Sequence, residues 1–498
     1  MAKNAIRLGD LGRACGDLFV RIEGPANTTI TGLSLDSRSV VPGALFFCVP
    51  GAVTDGHLFA RTAVDRGAAA VCVERPVDAP APTLVVSDVR RAMARVAAAF
   101  YGWPVRDLSL LGVTGTNGKT TTVFLLESIL NAAGHRTGLI GTVMTRIGSE
   151  SRPGVRTTPD SLDLQRLFAE MRAAGCVSVA MEVTSHGLAL GRVEGVMFDA
   201  AAFTNLSQDH LDFHHSMEDY FEAKRSLFVP ERVKRGAVNV DDPYGRKLFA
   251  EARVECVAFG VSPEAEVRGE AVIVGAHGSE FTISAPAGKT RVATRLAGSF
   301  NVSNCLAAAA TALQAGISLD AVEAGIRRLG SVPGRFETIN SGQPFAVVVD
   351  YAHTPDSLDN VLRAARSLIA GAGRVFCVFG CGGDRDRGKR PLMGATAARL
   401  ADFVLVTSDN PRSEDPEVII SEILEGVIGE RASGPDAVRP DRKEAIADAV
   451  RAARAGDVVV IAGKGHEHGQ EARGVVRPFD DREVARAELN SLGWSTTE

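Results

Sequence analysis

Residues 108–133 narrow the folds open to this chain more than any other stretch. LSLLGV (108–113) is a short run apolar at nearly every position, VTGTNGKTTT (113–122) is a Gly-rich turn, and an amphipathic helix follows. A strand without a polar face must be covered on both sides, as in parallel sheets flanked by helices. The same alternation recurs along all 498 residues. ALFFCV and AAAVCVE precede the helix-like RRAMARVAAAFYG within 1–106. CVSVAMEV and AAFTNL lie in 107–336. FAVVVD, RVFCVFG, DFVLVTS and DVVVIAG in 337–498 read as four strands, each leading through polar or Gly-rich residues to a helix. The expected fold is α/β in three domains, 1–106, 107–336 and 337–498, in keeping with about 150 residues per domain. AVIVGAHGSEFTIS and TRVATRLAG alternate apolar and polar residues and predict an antiparallel hairpin, before the Ala-rich helix SNCLAAAATALQAG.

Composition removes several classes. The net charge of −5 gives no basic field for wrapping nucleic acid. Apolar residues at 45% and charged residues at 23% are those of a globular chain, not a disordered or fibrous one. The eight cysteines are scattered with no C-x-x-C pair and read as reduced, mostly buried thiols. No apolar run approaches a membrane span and the start lacks an apolar signal core. A cytoplasmic protein without membrane insertion is expected.

In open α/β sheets, ligands sit beyond the carboxyl ends of the strands. Those ends read GTNGKT, EVTSHG, TNLSQDH, DYAHTPD, GCGGDRD, TSDNPR and AGKGHE. The first has the strand-to-helix setting of a phosphate-binding loop. Gly115 and Gly118 would let backbone N–H groups face phosphate oxygens, Lys119 would supply a cation, and Thr120 a hydroxyl for Mg²⁺. Val113 stands where the strict motif has its first Gly. A nucleoside triphosphate site is predicted.

Glu182 ends CVSVAMEV and is a candidate metal ligand, with His186 in the same loop. TNLSQDHLDFHHS (204–216) gathers Asp209, His210, Asp212, His214 and His215. By itself this cluster reads more readily as a hydrogen-bonded loop than as a metal site. Zinc spacing is lacking, and beside a triphosphate loop the natural ion is magnesium. Lys224, in DYFEAKRSLF, reads from spacing as a solvated helix residue. In the third segment Asp350 and His353 are expected to face the cleft, and GGDRDRGKR (382–390) is a charged loop before a helix. Arg412, after the turn of DNPR (409–412), could grip a carboxylate, and Glu467 of GKGHE an ammonium. Together they would suit a zwitterionic amino acid, or they form a surface ion pair.

TGTNGKTTT, EVTSHGL, NLSQDHLDFH, the Y-F-x-A-K stretch ending at Lys224, FNVSN (300–304), PGRFE (333–337) and DYAHTPD occur in the order of the Mur ligases, which this chain resembles from about 35 to 480. DSRSVVPG (36–43), DGH (55–57), RTTPD (156–160), GGDRDRGKRP and DNPR resemble the branch that uses diaminopimelate.

The resemblance implies an N-terminal UDP-substrate domain, a central P-loop ATPase-like parallel-sheet domain and a Rossmann-like C-terminal domain. It implies an ATP-dependent ligase adding meso-diaminopimelate to UDP-N-acetylmuramoyl-L-alanyl-D-glutamate in peptidoglycan precursor synthesis, with ATP and Mg²⁺ as cofactors, acting as a monomer. Relatives adding L-lysine or D-alanyl-D-alanine, or making folylpolyglutamate, are the alternatives within the class. A P-loop kinase or nucleotide switch is the alternative outside it. By resemblance, Gly115, Thr116, Asn117, Gly118, Lys119, Thr120, Thr121, Asn304, Arg335 and Asp350 form the ATP site. Thr120, Glu182, His210 and Lys224, the last as a carbamate, form the magnesium environment, and Lys119, Glu182, His210 and Lys224 are the catalytic set. Leu35, Ser37, Thr157, Thr158, Ser185 and Arg192 resemble the UDP-substrate contacts. Arg385, Asp409, Asn410, Pro411, Arg412, Gly463 and Glu467 resemble the diaminopimelate pocket. Leu190 stands where the family often has a Gln contact, so that contact is not carried over, and Arg156 stands where Asn is common.

Overall fold

The computed structural model describes residues 5–51, 54–275, 278–369 and 372–495. The chain packs into two compact units. One comprises Met1–Gly112, Gly134–Ala201 and Ala223–Arg235, the other Val113–Ala133, Ala202–Glu222 and Gly236–Glu498.

In the first unit, strands Phe19–Glu23, Thr83–Val86, Ala70–Val73, Ala44–Phe47 and Gly32–Ser34 lie side by side in that order. The first pair is antiparallel and the others parallel. ALFF, AVCV and TLVV are buried at every position, so both faces need cover. Leu8, Leu11, Val89, Met93 and Val96 from helices Leu8–Ala14 and Val89–Phe100 supply one side. Ala60 and Ala63 pack with Phe46, Val71 and Val73 on the other. The second helix starts at Asp88, whose carboxylate accepts the Arg91 N–H at 3.0 Å. Residues 134–201 add strand Thr137–Ile140 parallel to Ser178–Glu182 and the hairpin Met144–Ile147/Glu150–Pro153. Glu182 thus ends a fully buried strand.

In the second unit, the four apolar runs of 337–498 form strands Ala346–Asp350, Val375–Phe379, Phe403–Thr407 and Val458–Ala462, as predicted. Their sheet order is Glu337–Ile339, Ala346–Asp350, Val458–Ala462, Val375–Phe379, Phe403–Thr407, Ala437–Arg439. All neighbours are parallel except the first pair. The two edge strands are too short to stand out as apolar runs. One expectation needs correction: Val458–Ala462 does not lead directly to a helix. A hairpin, Gly469–Ala472/Val475–Pro478, intervenes before helix Asp481–Ser491. The hairpin expected near residue 280 is present and gains a third strand. Val267–Gly275, Gly278–Ala285 and Gly288–Thr294 pair antiparallel in sequence, with residues 276 and 277 outside the described set.

All eight cysteines are free, seven of them buried. Burial pushes the Cys48 thiol up to about 12, so it does not serve as a thiolate at neutral pH. No helix among the described residues is long and apolar enough to cross a membrane.

Beneath one face of the second unit's sheet, the Arg442 guanidinium forks onto Asp481 with two 2.7 Å hydrogen bonds, and both side chains are completely buried. It also donates to the Ala462 carbonyl at 2.9 Å, so the pair ties helices Arg442–Ala452 and Asp481–Ser491 to a strand end. Arg442→Met strands a buried carboxylate and should lower stability by about 3–5 kcal/mol. A denaturant midpoint equal to that of the parent would contradict this account.

Candidate active site

Strand Ser109–Thr114 and helix Lys119–Ala132 flank the predicted phosphate loop. Gly118 is left-handed, at φ +85°, and a Cβ there would lie 2.3 Å from Asn304 Oδ1; at Gly115, φ +148°, it would lie 1.9 Å from Thr204 Oγ1. Both glycines are therefore required. The turn is pinned by side chains from 204–207. The Thr204 hydroxyl donates to the Asn117 carbonyl at 2.6 Å, Asn205 Oδ1 accepts the Asn117 N–H at 2.9 Å, and the Thr116 hydroxyl accepts the Ser207 N–H at 3.0 Å. Lys119 Nζ folds over the loop carbonyls of Gly115 and Thr116, at 3.0 and 2.8 Å. Asn304 Nδ2 donates to Asn301 Oδ1 at 2.9 Å.

Arg335 also joins this loop. Its Nη2 donates to the Thr120 hydroxyl at 3.0 Å, and its guanidinium lies 4.4 Å over the Tyr351 ring. Asp350 does not face a cleft as expected. Its carboxylate is buried and accepts the Phe336 and Ala352 N–H groups at 2.6 and 2.7 Å. It pins the backbone turn behind Arg335, where Phe336 takes the unusual φ of +46°. Burial raises the Asp350 pKa, against the opposing pull of Arg335.

The 204–216 cluster resolves into parts. His214 is buried and stacks on Tyr220, with ring centroids 5.0 Å apart. Asp209 is buried among two imidazoles and an amine: His210 at 3.4 Å, His353 at 3.6 Å and Lys389 at 3.7 Å. Burial acts to raise this carboxyl, but the hydrogen bond and charge of His353, with His210 and Lys389, hold it well below the usual range. No three His, Cys, Asp or Glu side chains among the described residues form a self-contained metal cage.

In the first unit Glu182 is almost wholly buried, and both its oxygens accept from Thr142, the N–H at 2.8 Å and the hydroxyl at 3.1 Å. The network continues from Thr142 to the Thr157 hydroxyl at 3.0 Å. The Thr158 hydroxyl donates to the Glu182 carbonyl at 2.9 Å, and Arg192 donates to the Thr158 carbonyl at 3.0 Å. Arg192 and Arg156 share Asp160, at 3.0 and 3.4 Å. Ser185 opens the short helix capped by Thr184. Leu35 and Ser37 follow strand Gly32–Ser34, with the Ser37 carbonyl held by Arg66 at 3.1 Å. Lys224 is 1% exposed, which overturns the solvated reading drawn from spacing. A helix face turned inward is not visible in a nine-residue window with five charges.

In the second unit, Asn410 Nδ2 donates to Glu467 Oε2 at 2.8 Å, and Asp409 Oδ1 accepts the Asn410 N–H at 2.7 Å. A Cβ on Gly463 would lie 2.5 Å from Asp409 Oδ2. Arg412, left-handed at φ +52°, donates to the Gly383 carbonyl at 2.7 Å and lies 3.5 Å from Glu471, which is its ion-pair partner in place of Glu467. Pro411 is buried, and Arg385 is exposed with Nη1 on the Asp384 carbonyl at 3.0 Å. Sequence reasoning missed Thr142, Lys389 and Lys464. Each directly follows a glycine in the loop beyond a strand, a signal available in GT, GK and GKG.

The chain belongs to the Mur ligase family and is a ligase with that family's three-domain α/β fold. Three models of the family match it: the Mur ligase family catalytic domain over residues 29–101, the middle domain over 113–312, and the glutamate ligase domain over 334–465. Among its relatives is the UDP-N-acetylmuramoyl-L-alanyl-D-glutamate–2,6-diaminopimelate ligase of Geobacillus kaustophilus. It is 49% identical over 474 residues, covering 94% of this chain and 96% of the relative. The enzyme of the same name from Streptomyces coelicolor is 50% identical over 468 residues, covering 92% of each. A solved structure of such a ligase aligns with a TM-score of 0.68 and 33% identity, covering 98% of this chain and 99% of the other. MurF from Acinetobacter baumannii, at 21% identity and a TM-score of 0.70 over 99% of this chain and all of that one, shares the fold.

Gly118→Ala forces a side chain into a left-handed position and onto Asn304. It should weaken adenine-nucleotide binding at least about tenfold, given a strain of about 1–3 kcal/mol. Calorimetric titration with ADP measures this, and parental affinity would show that the loop does not cradle phosphate.

Proposed function

We propose that this protein uses ATP to join meso-diaminopimelate to UDP-N-acetylmuramoyl-L-alanyl-D-glutamate, a step of peptidoglycan precursor synthesis, releasing ADP and phosphate. One observation carries the reading: a glycine-dependent phosphate loop and the Asp409–Arg412/Glu467 group stand in one unit. The high-identity relatives are ligases of that substrate and amino acid by name.

The chemistry follows from the weakness of a free carboxylate as an electrophile. A D-glutamyl γ-carboxylate oxygen bonds to the γ-phosphorus of ATP while the bond to ADP breaks. The substrate amine then attacks the acyl phosphate carbon, loses a proton, and phosphate departs with the C–O bond electrons. Lys119 meets the negative phosphoryl oxygens, and Arg335 fixes the Thr120 hydroxyl. When bound, Mg²⁺ supplies charge neutralisation at those oxygens. We propose Thr120, Glu182, His210 and Lys224, the lysine carried as a carbamate, as the residues serving it. The mainly hard-oxygen donors suit magnesium, which takes few protein ligands and several from phosphate and water.

Gly115, Thr116, Asn117, Gly118, Thr121, Asn304 and Asp350 complete the proposed ATP site, Asp350 by holding the Arg335 turn. Leu35, Ser37, Thr157, Thr158, Ser185 and Arg192 are the proposed contacts for the UDP substrate. Arg385, Asp409, Asn410, Pro411, Arg412, Gly463 and Glu467 are those for diaminopimelate. The functional segments are proposed to be 1–106, 107–336 and 337–498, in a monomer acting in the cytoplasm.

The test supplies purified protein with UDP-N-acetylmuramoyl-L-alanyl-D-glutamate, ATP, Mg²⁺ and an equal mixture of diaminopimelate and L-lysine, and weighs the product. A diaminopimelate adduct formed together with ADP is expected. A lysine adduct would replace the amino-acid assignment, and uncleaved ATP would reject the reaction.

In the same assay Arg412→Ala should raise the KM for diaminopimelate by about 10–100-fold, the value of a lost charge-assisted pair. The KM for ATP should stay within about twofold, because the arginine's partners, Gly383, Glu471 and Arg473, are not residues of the phosphate loop. Equal changes in both constants would remove Arg412 from the amino-acid site.

A further inference from the structure

Lys464 lies between two glycines with positive φ, Gly463 at +118° and Gly465 at +54°. Neither tolerates a side chain. A Cβ on Gly463 would meet Asp409 Oδ2 at 2.5 Å, and one on Gly465 would meet the Gly334 carbonyl at 2.7 Å. The reversal turns the lysine side chain inward, where its exposure is 0%. Two residues on, the chain returns toward solvent, and the Glu467 N–H closes the turn on the Lys464 carbonyl at 3.0 Å. The Glu467 side chain is 30% exposed.

A buried ammonium persists only with good acceptors, and this one has two. Lys464 Nζ donates to Asn410 Oδ1 at 2.9 Å and to Glu467 Oε2 at 2.9 Å. The Asn410 carbonyl oxygen also accepts the Glu471 N–H at 3.0 Å, which occupies its two lone pairs. The amide therefore cannot flip, and its NH₂ faces Glu467, donating to the same Oε2 at 2.8 Å. Two donors on one carboxylate oxygen leave the other, Oε1, to a ligand.

We infer that Lys464 is a specificity-determining positioning residue. By locking the Asn410 amide and one oxygen of Glu467, it presents the remaining oxygen to the ammonium group at the distal end of the diamino acid. Asn410 then acts on the substrate chiefly through Glu467. The inference rests on the proposed use of a diamino acid at this site, and it assigns the selectivity for the distal ammonium to a lysine that is shielded from solvent.

The test compares meso-diaminopimelate with 2-aminopimelate, which keeps the distal carboxylate and lacks the distal ammonium, in the parent protein and in Lys464→Met. The parent should prefer diaminopimelate in kcat/KM by about 100-fold or more, since a site built for a hydrogen-bonding group discriminates strongly against its absence. In Lys464→Met that preference should fall below about tenfold, through a higher KM for diaminopimelate, with the KM for ATP within about twofold. Lys464→Gln keeps a buried donor of similar reach and should lie between the two. A Lys464→Met protein that binds ATP normally and retains the full preference overturns the inference. So does failure of both variants to bind ATP, which would make the lysine a folding element alone. Absence of amine-dependent ATP cleavage in the parent instead rejects the proposed function, so the two failures are told apart in one experiment.

Discussion

The turn between Thr114 and Lys119 can exist only without side chains at 115 and 118, and much of the second unit is arranged around that restriction. The space a Cβ would need at Gly115 holds the Thr204 hydroxyl, and the space at Gly118 holds the Asn304 amide oxygen. These neighbours hold the loop as well as filling the space, since Thr204 donates to the Asn117 carbonyl. A loop pinned by residues far away in sequence keeps its shape before any anion arrives, which is how preorganised donors gain their value. Helix Lys119–Ala132 then begins where its unsatisfied N–H groups and positive end can meet negative charge.

A second theme is charge kept out of water at the strand ends of the same unit. Arg390 is fully buried yet reaches Glu414 and Glu422 at 2.7 Å, and so ties the 382–390 loop to the helix Pro416–Glu430 and the turn before it. Asp209 is buried among His210, His353 and Lys389, and Arg442 is locked to Asp481. Such pairs are weak sources of net stability against an apolar alternative, but losing one partner is severe. Their concentration around DYAHTP, GGDRDRGKR, DNPR and GKGHE fits a role in fixing the geometry of loops that present polar groups.

What was legible in the sequence follows from periodicity and local chemistry. The buried strands AVVVD, VFCVF, FVLVT and VVVIA advertise themselves because both faces are apolar. The phosphate loop does so because Gly, Lys and Thr fall at fixed places between strand and helix. Edge strands such as Glu337–Ile339 carry no such signal. Burial of Lys224 was invisible because its helix shows five charged residues among nine, and only the fold decides which of them turns inward. The burial of Asp350 is unmarked in the sequence for a related reason. A carboxylate at a strand end is equally suited to a ligand and to two backbone N–H groups, and here the Phe336 and Ala352 amides claim it. The choice depends on a turn at 333–336 that is distant in sequence and has no apolar pattern.

The pairing of Arg412 with Glu471 rather than Glu467 bears on how a ligand would be recognised. The Arg412 N–H reaches the Glu471 carbonyl at 3.0 Å, and the Arg412 carbonyl accepts the Arg473 N–H at 2.6 Å. Its left-handed backbone is thereby held on both sides by the hairpin Gly469–Ala472/Val475–Pro478. The guanidinium is held separately by the Gly383 carbonyl. An arginine fixed at backbone and head loses little freedom when it grips a carboxylate, so more of the interaction appears as affinity. Glu471, 41% exposed, forms a long and solvated contact of small worth. It is a partner that a ligand carboxylate with direct bidentate geometry can displace at little cost. Arginine and glutamate are therefore both held in place, through hydrogen bonds that meet at Glu471, and a ligand that engaged both would have to match a distance set by the protein.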